Sequence, residues 1–329
     1  MKILFIGGTG VISSSCTQLL IEKGCDLYLL NRGKSFRKPP SKANILTAEI
    51  NDINSVRAAL DNHHFDSVVD WIAFNENDVG RDYGLFKDRT KQYVFISSAS
   101  AYQKPPVKLP ITEDVPLVNP FWKYSQSKID CENFLMEKYK HDGFPVTICR
   151  PSHTYDRTKP ALKMGYLPFY RMKTGKKIII HGDGNNLWTL THTKDFAKGF
   201  VGLIGNPNTI GEAYHITSDK TLTWNQIAET LASKAGFELN PVHIPVDFIA
   251  LQDKEWGAEL FGDKAYDTVF DNSKIKKIVP DFNAVIPFES GAEEIADWYS
   301  DPANQIVNTE LDELMDRIVA EFELKKPGT

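Results

Sequence analysis

The chain has 329 residues, of which 42% are hydrophobic and 25% charged, and a formal net charge of −5. This length supports a large buried core, either in one extended unit or in two domains sharing a cleft, and the composition is that of an ordinary soluble globule. The acidic balance supplies no global basic field for nucleic acid or an anionic membrane. The apolar stretches are too short to span a bilayer, and Met1 leads straight into a strand without a secretory pattern, so a cytoplasmic location is expected.

Residues Lys2 to Ile6 form an apolar run broken by Gly7, Gly8, Thr9 and Gly10, the pattern of a buried parallel strand ending in a glycine turn. Val11, Ile12, Leu19, Leu20 and Ile21 then recur near helical spacing until Gly24, a helix stop. Strand, glycine turn and helix in that order let backbone N–H groups approach a pyrophosphate at the positive end of a helix. Gly7, Gly8, Thr9, Gly10, Val11 and Ile12 are therefore candidate cofactor contacts.

The segment from Asp26 to Gly33 predicts a second strand whose tip receives an adenosine ribose. An acidic residue there would accept the 2′-hydroxyl of NAD. This chain has Asn31 and Arg32, followed by Lys34, Arg37 and Lys38, a cluster suited to a 2′-phosphate, so the expected cofactor is NAD(P), with NADP favoured. Residues 65–73 predict another buried strand, in which the Asp70 carboxylate must be hydrogen-bonded or sit at the cofactor, and which empties into the cleft at Ala73. A short helix is expected over 78–90, a strand over QYVFISSASAY, and an irregular proline-rich wall of the substrate pocket over 104–120.

Tyr124 and Lys128 stand four apart in YSQSK. On a helix they share a face, where an ammonium beside a phenol favours the phenolate and makes Tyr124 a candidate general base. After the strand Val146 to Arg150 the chain changes character, with prolines, scattered aromatics and shorter elements, and a second domain is expected to begin. Further on, Asp195 begins a predicted helix, Thr223 and Gly236 bracket another, and Thr309 to Leu324 form an amphipathic helix suited to core packing. Cys16, Cys25, Cys131 and Cys149 lack metal-ligand spacing and are expected to be reduced and buried; no metal site is expected.

Together GGTGVIS, VFISSASAY and YSQSK resemble the extended short-chain dehydrogenase/reductases, the NAD-dependent epimerase/dehydratase branch, over most of the chain. The resemblance implies an α/β fold: a Rossmann-type doubly wound parallel sheet over residues 1–150, to which a segment near 188–215 returns, and a smaller α/β substrate domain over 151–329. It implies that Gly7, Gly10 and the position of Ser13 form the phosphate turn, with Ser13 replacing the usual third glycine. It makes Tyr124 the base, Lys128 its partner and the holder of the nicotinamide ribose, and Ser98 the catalytic serine. Glu49 and Ile50 then flank adenine, Asp70, Ala73 and Pro151 line the cofactor, and Ser98, Ser100, Tyr124, His153 and Trp188 meet the substrate.

The implied activity is oxidation at a hydroxyl of a sugar or nucleotide-sugar, with hydride passed to nicotinamide and the ketone then re-reduced or released; an NADPH-dependent carbonyl reductase is the alternative in the same site. Three departures narrow this. Ala99 and Ser100 replace the acidic pair of the dehydratases, Trp188 replaces an arginine that grips diphosphate, and His153 replaces an asparagine after Arg150 and Pro151; Arg150, Arg157 and Arg171 are candidates to restore the positive charge. The NRG tip is similar to a branch near chloroplast stem-loop-binding proteins and bacterial chains labelled isoflavone reductases, which carries a second alternative, a non-catalytic dinucleotide- or RNA-binding protein. The family also implies a homodimer through the helix bearing Tyr124 and its neighbour.

Overall fold

The computed structural model describes residues 1–163 and 165–325. Its centre is a parallel sheet built from β1 (Lys2–Ile6), β2 (Asp26–Asn31), β3 (Asn44–Thr47), β4 (Ser67–Asp70), β5 (Tyr93–Ile96), β6 (Val146–Pro151) and a seventh strand, Ala213–Ile216. The strand order is Ala213–Ile216, β6, β5, β4, β1, β2, β3. The order reverses between β1 and β4, so a crevice opens beyond their carboxyl ends, where Gly7 and Trp71 follow.

The sequence of β1 explains how the layers assemble. Alternate side chains leave a strand on opposite faces, and β1 is apolar on both. Ile3 and Phe5 pack with Cys16 and Leu20 of α1 (Val11–Glu22) and with Phe196 and Phe200 of helix Thr193–Leu203. Leu4 and Ile6 pack on the other face with Val56 of α2 (Ile53–Leu60), Val79 of α3 (Glu76–Phe86) and Leu135 of α4 (Lys123–Asp142). Each such side chain contributes roughly 1.5–3 kcal/mol by leaving water.

Several strands are shorter than their sequence patterns suggest, each for a local reason. β2 ends at Asn31 rather than Gly33 because the Asn31 side chain accepts the Gly33 N–H at 2.9 Å, and Gly33 turns the chain with φ +70°. β4 ends at Asp70 because its carboxylate captures the next two free amides. β5 ends at Ile96, and Ser98 then accepts the Ser100 N–H to start the turn Ala99–Ala101. Helix α3 begins two residues early, at Glu76, because Asn75 and Asp78 cap it reciprocally. Helix Trp224–Ala235 has the expected ends, with Thr223 accepting from the Gln226 N–H and Gly236 at φ +71°.

Among the described residues the remaining strands pair in twos: His153–Tyr155 with Leu190–His192, Ile178–His181 with Pro241–Ile244, and Leu187–Trp188 with Leu222–Thr223. Aromatic packing provides their core, with the Trp188 and Trp224 ring centroids 5.1 Å apart. The last helix, Thr309–Lys325, packs Met315, Ile318 and Val319 against Val242 and Ile244. Cys16, Cys131 and Cys149 are buried thiols, whereas Cys25 is half-buried. Among the described residues, no helix is long and apolar enough to cross a membrane.

Candidate active site

The glycine turn is a cradle that side chains would fill. Gly7 and Gly8 have φ of +99° and +93°, and a Cβ at Gly8 would lie 2.7 Å from Leu29 Cδ2. At Gly7 a Cβ would lie 3.3 Å from Ile72, which closes the opposite wall of the crevice. Ser13 is buried, and its hydroxyl accepts the Gly10 N–H at 2.8 Å, so the residue in the third-glycine position braces the turn. Thr17 adds a second brace by donating to the Gly8 carbonyl at 2.8 Å. Gly10 caps α1 without a side chain, leaving the helix amino terminus with Val11 and Ile12 as its first residues for an anion. These donors and this space fit a dinucleotide pyrophosphate.

At the adenosine end, Arg32 of the β2 tip faces Glu49 after β3 at 3.6 Å, and both side chains are well exposed. Ile50 beside Glu49 is buried. Arg37 lies elsewhere, bonded to Thr158 and to Asp156 at 2.9 Å, which ties the loop after β2 to the carboxyl-terminal half. Asp70 is buried, and its side chain holds the turn after β4 instead of opening onto the crevice.

Helix α4 brings the reacting groups together. Ser125 donates to Ser100 at 2.8 Å, and the Ser100 and Ser98 hydroxyls are 2.9 Å apart, forming a chain of hydroxyls aimed at the Tyr124 phenol. Ser100 is only 2% exposed and stands behind Ser98, bonded to it and to Ser125. Lys128 is also buried, with Nζ donating to the carbonyls of Ala73 at 2.7 Å and Ile96 at 2.8 Å. It sits 4.7 Å from the Phe74 ring centroid and 5.9 Å from that of Tyr124. Burial brings its pKa down to about 8, against the pull of neighbours that include Asp70 and Glu132.

Burial raises the Tyr124 phenol above its ordinary pKa, and the Ser98 hydroxyl opposes this. The expected lowering by Lys128 does not enter this balance; its ammonium lies 5.9 Å from the Tyr124 ring centroid and is bonded to two backbone carbonyls. The Trp122 ring lies 4.8 Å from that of Tyr124 and forms one side of its pocket.

The proline-rich segment closes the cleft with help from a distant turn, Leu260–Lys264. Asn119 donates to the carbonyls of both Ser100 and Gly262, at 2.7 and 2.6 Å. Lys104, 3% exposed, has its Nζ 3.4 Å from Asp263, and Asp263 in turn acts on the Tyr124 phenol. Neither residue carried a motif, and no local spacing connects them.

The positions beyond β6 read differently in three dimensions. Pro151 is the buried end of β6, and His153 follows, partly exposed. Trp188 is 1% exposed and packs in the aromatic core; its indole N–H donates to His153 Nδ1 at 3.0 Å and fixes that ring. Burial keeps His153 neutral, reinforced by Lys264 and Lys159 nearby. Of the three arginines proposed to replace the missing charge, Arg150 and Arg171 are paired to carboxylates, whereas Arg157 is exposed. Arg150 is locked onto Glu132, with Nη2–Oε2 at 2.6 Å, Arg171 onto Asp312 and Asp316, and Arg157 lies over Trp298. The cations around His153 are lysines: Lys159, and Lys163 and Lys264 on either side of Glu259. Glu132, at i+4 from Lys128, was legible as the next residue on the same helix face.

Residues 83–217 match the model of the NAD dependent epimerase/dehydratase family. Chloroplast stem-loop binding protein of 41 kDa b from Arabidopsis thaliana is 28% identical over 254 residues, 72% of this chain and 64% of that protein. UDP-glucose 4-epimerase from Lactobacillus helveticus is 31% identical over 169 residues, 46% of this chain and 51% of that protein. The chain thus spans less than two thirds of the length of either curated relative. The fold is that of dTDP-glucose 4,6-dehydratase from Bacillus anthracis, solved with NAD, with a TM-score of 0.73 at 19% identity over 91% of this chain and 96% of that one. The stretch that matches this family model includes Ser98 and the whole of the helix that carries Tyr124 and Lys128.

Proposed function

We propose that this protein is an NAD(P)-dependent enzyme that oxidises, and by reversal reduces, a hydroxyl-bearing carbon of a sugar or nucleotide-sugar. The observation that carries this reading is the convergence of Ser98, Tyr124 and Lys128 beside the crevice bounded by Gly7 and Ile72. When bound, the dinucleotide supplies the hydride acceptor and, in its oxidised form, a positive charge near the phenol.

The chain's own groups handle binding and the proton. Ser98, fed by Ser100 and Ser125, holds the substrate oxygen, and the Tyr124 phenolate removes its proton. Lys128 keeps one N–H beyond the two given to Ala73 and Ile96, enough for a ribose hydroxyl. Trp122, Phe74 and the 104–120 segment exclude water from the phenol. Arg32 would meet a 2′-phosphate only by turning away from Glu49, and Arg37 is committed to Asp156, so discrimination for NADP rests on Arg32, Lys34 and Lys38. Lys159 near His153 and the exposed Arg157 supply the charge that an anionic substrate group needs. A cytoplasmic location and a homodimer through α3 and α4 complete the reading.

The kinship with a stem-loop binding protein gives one rival, RNA binding without turnover. Both readings are tested by Tyr124→Phe with a panel of nucleotide sugars, free sugars and simple ketones. Dinucleotide affinity, measured for NADH and NADPH, should stay within a few-fold while turnover falls by about 10²-fold or more, since only the proton acceptor is lost. Unchanged turnover would remove the assigned base. Salt-sensitive RNA binding without any turnover in the unmodified protein would favour the rival.

A further inference from the structure

The turn between β4 and α3 is gripped from inside by two carboxylates. Asp70 Oδ1 accepts the N–H groups of Ile72 at 2.5 Å and Ala73 at 2.9 Å. Asp78 Oδ2 accepts those of Phe74 at 2.9 Å and Asn75 at 3.3 Å. Four consecutive amides therefore point inward. One guanidinium joins the two acids: Arg81 Nη1 bonds Asp78 at 3.2 Å and Nη2 stands 3.6 Å from Asp70. Arg81 also holds Asp82, which accepts the Tyr93 phenol at 2.7 Å and anchors the assembly to β5.

A trans peptide unit directs its N–H and C=O oppositely. Pinning the Phe74 N–H into Asp78 therefore sends the Ala73 carbonyl the other way, and there it receives Lys128 Nζ at 2.7 Å. We propose that Arg81, Asp70 and Asp78 form a clamp that positions Lys128, making them positioning residues for the cofactor-holding lysine. This rests on the role given to Lys128 above. The other ionisable groups facing Lys128 are Tyr124, Cys131 and Glu132 on its own helix.

Asp78→Ala is the decisive variant, because Asp78 is partly exposed and its loss leaves the buried Asp70–Arg81–Asp82 group intact. Two readouts are used: NADH affinity, and the titration of Lys128 in the protein as purified, followed by NMR of ¹³C-labelled lysine and assigned with Lys128→Arg. Loss of a hydrogen bond to the charged form lowers an ammonium's pKa. The expected result is a Lys128 titration displaced downward by about half a pH unit or more and NADH affinity weakened about tenfold by the misplaced ammonium. Asp78→Asn keeps an oxygen for Phe74 and Asn75 without the charge, and should restore NADH affinity and at least half of the titration shift.

Asp78→Ala with wild-type titration and affinity but a lowered Tm would mark Asp78 as a helix cap only and overturn the clamp. Asp78→Asn behaving like Asp78→Ala would assign the effect to charge and overturn it equally. If the unmodified protein binds no dinucleotide, the functional reading fails, while the Lys128 titration still decides whether the clamp exists.

Discussion

Asp70 is a buried carboxylate and Glu259 a half-buried one, in the two halves of the molecule, and their surroundings drive them in opposite directions. Asp70, at the end of β4, is raised well above the carboxylate range, first by desolvation and then by Asp82, with its Ile72 amide and Arg81 only partly opposing. Glu259, in the carboxyl-terminal half, is brought down to about 2 although burial pushes it upward, because Lys264 and Lys163 close on it, Lys163 at 2.8 Å. Burial alone therefore fixes neither charge state; the number and closeness of cations decide it. The sheet half uses a carboxylate pair with one shared guanidinium to shape backbone, whereas the carboxyl-terminal half uses an ionised carboxylate to hold two lysines, Lys163 and Lys264.

Breaking the first arrangement should have the larger effect on stability. Arg81→Met removes the cation shared by Asp70, Asp78 and Asp82 and should cost about 3–5 kcal/mol in urea unfolding at neutral pH. The loss should shrink as the pH falls. A carboxyl whose folded pKa is raised stabilises the fold below its unfolded value and loses that contribution as the pH rises through the folded one. A loss under about 1 kcal/mol would show that the pair is neutralised without Arg81.

Glu259→Gln sharpens the comparison from the other side. A folded pKa of about 2 against an ordinary 4.5 corresponds to about 3 kcal/mol. Because the folded value is depressed, this contribution is present above the unfolded pKa and disappears as the pH falls from about 5 toward 2. The variant should therefore be less stable at pH 7 and flatter in that acid window, as read by unfolding at a series of pH values. An acid limb as steep as the wild type's would dissociate Glu259 from it.

How far the sequence foretold these regions depends on how far apart the interacting residues lie. The glycine turn, Ser98 and the Tyr124–Lys128 pair are local patterns: a strand that must be apolar on both faces, glycines with no room for Cβ, and two side chains one helical turn apart. Ser13 also made local sense once its hydroxyl was seen bracing Gly10. Trp188 and His153 occupy family positions, but what they do follows from their bond to each other. Arg150 and Arg171 looked like available cations because the acids that engage them, Glu132 and Asp312, meet them only in the fold. Lys104 with Asp263, and Glu259 with its lysines, likewise leave no trace in spacing.

The proposed activity requires a nicotinamide ring lying against the Tyr124 phenol, and a crystal structure of the protein with NADH or NADPH tests this most directly. The expected result is a pyrophosphate at the Gly7–Ile12 turn, a ribose hydroxyl on Lys128 Nζ, and the ring within van der Waals contact of Tyr124 and Ser98. A dinucleotide bound with its ring away from residue 124, or no dinucleotide in the crevice at saturating concentration, would contradict it.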